Sequence, residues 1–349
     1  MTTTKATAFQ DRIDDILAIF TSETFLYIVK RLLQGLLTLF LVSILSFALM
    51  EIAPGNVLDK YKNNPTITAE RYEELIEQYA LDKPAPTRYI SWLDNVVLKG
   101  DWGYSIEYSS PVAYLIGQRT FNTLLLAIAS IILTWSIAIP LGILSAVKQN
   151  TFIDRVLRVI SYMGQGIPSF ITALFLLFLA QYLTPLLPVG GMTSVNHALL
   201  SPVGKVLDIA WHMILPTLAL SITSFAGLQR LMRGQLLEVL RQDYIQTARS
   251  KGLPENRVIY VHALRNAINP FITILGFEFA SLLSGSFIAE FYFNWPGLGR
   301  LIFNGLLNQD PNLVMGSLIM GASLLIIGNL LADLLLKFTD PRIKLENLK

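Results

Sequence analysis

Apolar residues in this chain come in long blocks separated by polar stretches. Six blocks reach or approach the about 20 residues that a helix needs to cross a hydrocarbon layer about 30 Å thick. They cover residues 32–52, 121–147, 167–187, 213–228, 271–293 and 313–336. The fourth is the shortest. It runs on into a polar stretch where Leu228, Leu231, Leu236 and Val239 supply apolar positions, so its helix is expected to continue beyond the span. The pattern predicts an all-α integral membrane protein with six transmembrane helices. The first block is longer than the about 7–15 apolar residues of a cleaved leader, and it follows Asp11, Asp14, Asp15 and Glu23 instead of a basic segment; it reads as a retained span.

Composition agrees. Of 349 residues 53% are hydrophobic and only 15% charged, against about 25% charged in a soluble domain. A water-facing surface cannot be covered with so few charges, which excludes a soluble enzyme and a disordered chain. Lys and Arg number 27 and Asp and Glu 25, too balanced for a nucleic-acid partner. There is no Cys, which removes disulfides and thiolate chemistry. His197, His212 and His262 are far apart in the chain, so no shared metal site is expected.

Basic residues orient the spans. Eighteen of the 27 fall on one side: before the first span (Lys5, Arg12, Lys30, Arg31), after the second (Lys148, Arg155, Arg158), after the fourth (Arg230 to Arg265) and after the sixth (Lys337 onward). That side is taken as the cytoplasm, with both termini in it. Trp92, Trp102, Trp211 and Trp295 fall near the opposite face, where indole favours the interface. The chain then divides into a cytoplasmic N-terminal extension (1–29), a first transmembrane helix (30–52), a small extracytoplasmic subdomain (53–119), a core domain with helices two to six (120–342) and a cytoplasmic tail (343–349). In the extension, Ile13, Ile16, Leu17 and Phe20 recur at helical spacing.

The segment 53–119 is too long for a mere connector. It holds a helical stretch, 68–79, with Glu70, Glu73, Glu74 and Glu77, read as a solvated face; Pro84, Pro86, Gly100 and Gly103 follow as turn and breaker residues. His212 and Pro216 sit where the fourth span begins, and His212 either lines a pathway or makes an interfacial hydrogen bond.

The most informative polar segment is 229–270. A helical stretch, 244–251, ends at Gly252, which suits the left-handed closure of a helix. Pro254 suits the first turn of the next helix, where its missing N–H is not needed. There Val258, Val261, Leu264 and Ile268 fall near one stripe, with Arg257, Arg265 and Asn266 off it. Helix, glycine hinge, helix is the shape of something built to dock into a partner's groove, or to lie on lipid headgroups.

Residues 243–253 (DYIQTARSKGL) and 262–267 (HALRNA) resemble the cytoplasmic "EAA" loop of ABC-importer permeases, in the form carried by the dipeptide, oligopeptide and nickel subfamily. Ala248, Gly252 and Leu264 keep the spacing; Gln246, Thr247 and Arg265 stand where a generic loop has Glu, Ala and Pro. Further matches are 99–105 (KGDWGYS), Pro111-Val112, the stretch from Arg119 with Asn122-Thr123-Leu124, 187–191 (LPVGG), 212–216 (HMILP), Glu290, 295–300 (WPGLGR) and Asp340-Pro341-Arg342. The long first outer segment is similar to the B-type member of the permease pair.

The resemblance implies a type I ABC importer permease fold in the plasma (inner) membrane. It implies a sister permease forming a heterodimer, two ABC ATPase subunits carrying ATP and magnesium, an extracytoplasmic solute-binding protein, and contact with membrane lipid. The coupling loop (241–267) would comprise Tyr244, Thr247, Ala248, Lys251, Gly252, Leu253, His262, Leu264, Arg265 and Asn266. Candidates for the pathway or gate are His212, Glu278, Glu290, Trp295, Gly297 and Gly299. No G-x-x-x-x-G-K-[ST] occurs, so the chain cannot cradle nucleotide phosphates in the usual way; it is expected to be a transport subunit that binds no cofactor of its own and is not itself an enzyme. Two other classes compete. An ion-coupled secondary transporter or channel would use intramembrane ionisable groups; Glu278 is the main candidate, either facing a cavity or held by a hydrogen bond to a neighbouring helix. A membrane enzyme would need a motif such as H-E-x-x-H or G-x-S-x-G, and neither occurs. No cluster of His or acidic ligands speaks for nickel.

Overall fold

Prolines and glycines set the joints of a nearly all-helical chain. The computed structural model describes residues 23–53, 58, 68–78, 81–183 and 186–339. Most of the N-terminal extension, the tail and the Asp340-Pro341-Arg342 match lie outside the described residues. The elements are α1 (Glu23–Ile52), α2 (Ala69–Gln78), α3 (Ala85–Lys99), strands β1 (Tyr104–Ser105) and β2 (Ser110–Pro111), α4 (Val112–Val147), α5 (Phe152–Gly166), α6 (Ser169–Tyr182) and α7 (Pro202–Leu240). There follow α8 (Asp243–Ser250), α9 (Glu255–Arg257), a π-helical turn (Val258–Ala263), α10 (Leu264–Ala267), α11 (Asn269–Tyr292), α12 (Leu298–Leu307) and α13 (Pro311–Thr339).

Among the described residues, four helices are long and apolar enough to cross a membrane: α1, α4, α7 and α13; α5 and α6 together qualify as one span bent by 103°. The expected third block, 167–187, is therefore redrawn. Its helix begins at Phe152, breaks at Ile167-Pro168 and ends at Tyr182. Proline forces the residue before it out of the helical region, and Ile167 is extended at φ −92°, ψ 121°. The fourth block is longer than expected: α7 starts at Pro202, capped by the Ser201 hydroxyl on the Gly204 N–H, and carries Pro216 in its interior. The continuation through Val239 is as expected.

Pro84 and Pro86 do not break structure. They begin α3, with Pro84 at the N-cap and Pro86 in the first turn, and Gly100 closes the helix at φ 67°. The glutamates of α2 are solvent-exposed. The short antiparallel hairpin β1–β2 follows, pairing Ser105 with Ser110.

The α4–α7 pair forms the spine. A Cβ on Gly142 would come 2.5 Å from Met232 Cβ and 2.8 Å from the Gln229 carbonyl, so only glycine lets the two backbones approach this closely. One apolar core joins Ile143 and Ala146 of α4, Met232 and Leu236 of α7, and Phe271 of α11 to the segment 245–267. A second joins Leu126, Leu215 and Ala219 to Ala289, Phe293 and Trp295 toward the hairpin end. α1 lies along α13, pinned where Tyr27 and Arg31 meet Asp333 at 2.6 and 2.8 Å. Its Leu33, Leu36, Leu41 and Leu45 point outward and exposed, as on a lipid-facing helix.

Candidate functional site: a platform at one end, a buried carboxylate at the other

At one end of the spine, α8 stands on the core by two side chains. Ile245 and Ala248 are buried with Met232 and Leu236, while Tyr244, Gln246 and Thr247 face outward. Gly252 lies just past the helix at φ 74°, its N–H on the Arg249 carbonyl at 2.9 Å. The requirement for glycine is conformational: a Cβ there would meet nothing within 4 Å, but an L-residue in this region costs about 1–2 kcal/mol. Lys251 is exposed and Leu253 packs against the core. Pro254 occupies the N-cap of α9, one place before the first turn.

The next stripe differs from the expected one. Val258, Ile259, Ala263 and Ala267 are buried, while Val261 is 53% exposed and Leu264 and Ile268 only line the edge. The cause is the π-helical turn, whose wider winding rotates the following residues away from a 3.6-residue repeat. His262 is half-buried and Arg265 exposed. Asn266 closes the loop, its amide donating to Tyr244 Oη at 3.0 Å and to the His262 carbonyl at 3.2 Å. Arg249 pairs with Glu255 across the hinge at 2.7 Å; its guanidinium holds the Glu255 carboxyl below the usual carboxylate range.

At the other end, Glu290 is fully buried near the end of α11. Its Oε1 accepts from Thr123 Oγ1 at 2.6 Å and Ser286 Oγ at 2.9 Å; its Oε2 accepts from the Arg300 N–H at 3.0 Å. Thr123 Oγ1 in turn accepts from the Leu298 N–H at 2.8 Å. Trp295 Nε1 donates to the Asn122 carbonyl at 3.1 Å, and the Asn122 amide donates to the Pro296 carbonyl at 2.8 Å. The segment 295–300 is thus wrapped on one carboxylate and one turn of α4. Gly297 and Gly299 have no room for a side chain: a Cβ on Gly297 would overlap the Glu290 carboxylate, and one on Gly299 would sit 2.9 Å from Phe287 Cβ. The loop 187–191 is tied to the same place, Gly191 N–H on the Phe293 carbonyl at 2.8 Å.

The remaining candidates are separate. His212 is buried in α7, its Nδ1 2.8 Å from the Asp208 carbonyl; His197 Nδ1 is 2.6 Å from Asp208 Oδ2. Two histidines distant in sequence therefore meet at Asp208, as hydrogen-bond partners. Glu278 receives the Trp135 indole N–H at 2.6 Å, from α4.

Sequence reading did not single out Asn122 and Thr123 as site residues, although both lie in a stretch it matched. It missed entirely the buried cluster at Asp154, which accepts from Arg233 at 2.7 and 2.9 Å and from Ser145 at 2.6 Å. An Asp two residues after a turn and an Arg on the next long helix were the only signal.

The family of binding-protein-dependent transport system inner membrane components matches residues 138–345, and the N-terminal family of the same membrane components matches residues 24–138. The chain is 40% identical over 319 residues to the oligopeptide transport system permease protein AppB of Bacillus subtilis, covering 91% of this chain and 99% of that one. It is 34% identical over 334 residues to the dipeptide transport system permease protein DppB of Escherichia coli, covering 91% and 98%. It is 35% identical over 319 residues to the oligopeptide transport system permease protein OppB of Haemophilus influenzae, covering 91% and 99%. The chain belongs to the family of inner-membrane permease components of binding-protein-dependent transport systems.

Proposed function

We propose that this chain is the B-type permease subunit of an ABC importer for peptides, forming half of the translocation pathway beside a sister permease. A solute-binding protein would deliver the peptide from outside, and two ATPase subunits would supply the energy. The observation that carries the reading is the platform: α8 is fixed to the α4–α7–α11 core by Ile245 and Ala248 and presents Tyr244, Gln246 and Thr247 outward. A short helix held in an ATPase groove transmits the closure of the ATPase pair only if it is rigidly joined to the spans. Here it is joined on one side through the end of α7 and on the other through Gly252 and the π turn to α11.

The reading assigns six spans: α1, α4, the bent α5–α6 pair, α7, α11 and α13. Both termini and α8 lie in the cytoplasm, and α2, α3 and the hairpin form the outer subdomain. The Glu290 knot, with Trp295, Gly297 and Gly299, then sits at the outer mouth, where it fixes the gate segment. Glu278 is a helix-pairing group held by Trp135, in place of an ion-coupling site. Reporter fusions after Gly103 are expected to read outside and fusions after Glu255 inside. Peptide uptake in proteoliposomes holding the assembled complex should require ATP; uptake that follows a proton gradient and survives ATP depletion would instead favour an ion-coupled carrier.

A further inference from the structure

Among the described residues, most partly buried arginines have partners. Arg31 pairs with Asp333, Arg88 with Glu51, Arg158 and Arg233 with Asp154, and Arg249 with Glu255; Arg230 bonds the Gln165 side chain. Arg119 and Arg300 are the exceptions. Both are half-buried, and neither guanidinium has a hydrogen bond or ion pair to a described residue. The two belong to one place. Arg119 is one helical turn before Thr123 on α4, Arg300 is two residues beyond Leu298, and Thr123 Oγ1 receives the Leu298 N–H at 2.8 Å. Arg119 lies within electrostatic reach of Arg300, Tyr108 and Glu290.

Glu290 acts on Arg119 through its charge, but no hydrogen bond or ion pair joins it to either guanidinium. Its oxygens are taken up by the Thr123 and Ser286 hydroxyls and by backbone N–H groups, including that of Arg300 itself. Tyr108 is occupied by the Asn304 amide at 2.8 Å. Two half-buried guanidiniums thus share one neighbourhood, and no described carboxylate is hydrogen-bonded to either. Such a pair is relieved by a carboxylate, whose two oxygens match the planar donor fork of arginine.

We propose that Arg119 and Arg300 form a carboxylate-receiving site at the outer mouth, taking the C-terminal carboxylate of the incoming peptide. The site rests on the peptide-importer reading above. It orients the solute with its carboxylate against the Glu290 knot, so that binding and the gate segment share one anchor.

The test is uptake by the reconstituted complex with its binding protein, comparing a free-acid tripeptide with its C-terminal amide, each normalised to the measured loading of the binding protein. Arg119→Gln and Arg300→Gln are expected to lower free-acid uptake about tenfold while leaving amide uptake within about twofold. Arg119→Lys, which keeps the charge and loses the fork, should fall between. Free-acid uptake at the wild-type level in both Gln variants overturns the site. So does an equal loss of acid and amide, which would mark a structural role or docking of an acidic segment of the binding protein. If the wild-type complex imports neither peptide, the importer reading itself has failed; that result is distinct from either of these.

Discussion

Substituting Gly297 with alanine tests whether the Glu290 knot holds the hairpin end together. The new Cβ would occupy the space of the carboxylate, and the nearest groups are the buried carboxyl carbon and both its oxygens. To reach ordinary contact the carboxylate must move by about 1 Å or more. The Thr123 bond, 2.6 Å in the native protein, would then exceed the range of a hydrogen bond, and the Arg300 N–H would be lost if the movement is away from the loop. Each buried group left without its partner costs about 1–3 kcal/mol. Two such losses give roughly 2–6 kcal/mol. Gly117→Ala on α4 is the control, since a Cβ there meets nothing within 4 Å and alanine favours the helix by up to about 1 kcal/mol. The assay is thermal unfolding of the purified complex followed by tryptophan fluorescence, to which the buried Trp295 contributes. Gly297→Ala should lower the midpoint by several degrees and Gly117→Ala should not. Equal midpoints for both variants and the wild type would refute the knot as a stabilising element.

Three further outcomes follow from the same reasoning. At Gly252 the constraint is φ alone, so Gly252→Asn and Gly252→Asp, which tolerate the left-handed region, should keep more ATPase-coupled uptake than Gly252→Val, with all three variants inserted in the membrane; equal coupling in the Asn and Val variants contradicts it. Asp154→Asn leaves Arg233 facing a neutral group in a fully buried site and should destabilise by about 3 kcal/mol, read as a lower unfolding midpoint; Arg233→Met in the same background should recover part of the loss. The Arg249–Glu255 pair is half-exposed and worth less than about 1 kcal/mol. Because the folded-state value of Glu255 is lowered, this contribution is full above the ordinary carboxylate range and fades as pH falls through the lowered value. Glu255→Gln should therefore shift the midpoint slightly at neutral pH and not at all once the carboxyl is protonated.

What the sequence disclosed followed from how local each signal is. Long apolar blocks report their own transfer into lipid, so 271–293 and 313–336 came within a few residues of α11 and α13. A helix of mixed polarity does not report itself in that way: α3 was obscured because Pro84 and Pro86, read as breakers, in fact start it. The π turn at 258–263 was invisible because a periodic stripe presumes the very winding that the turn alters. In the 244–252 segment the local signals sufficed, since a helix end, a positive-φ glycine and the spacing of Ile245 and Ala248 all lie within one short stretch.

The Glu290 site shows the opposite case. Glu290 and the glycines of 295–300 were singled out only as members of a matched motif, and nothing near them in the chain says what they bind. Their meaning depends on Thr123, far away in sequence, whose single oxygen both donates to Glu290 and accepts from Leu298. That one atom makes the segment 295–300 a fixture of α4. The same helix reaches the other end of the molecule, where Ile143 and Ala146 join the core on which α8 stands. Between them Gly142 brings α4 into backbone contact with α7, which leads directly into α8. Close-packed helices move as bodies because small gaps already forfeit contact energy. If α8 is the coupling helix proposed above, a displacement imposed on it would be carried by α7 and α4 together to the Glu290 knot, and the glycine at 142 would serve that lever as much as the glycine at 252.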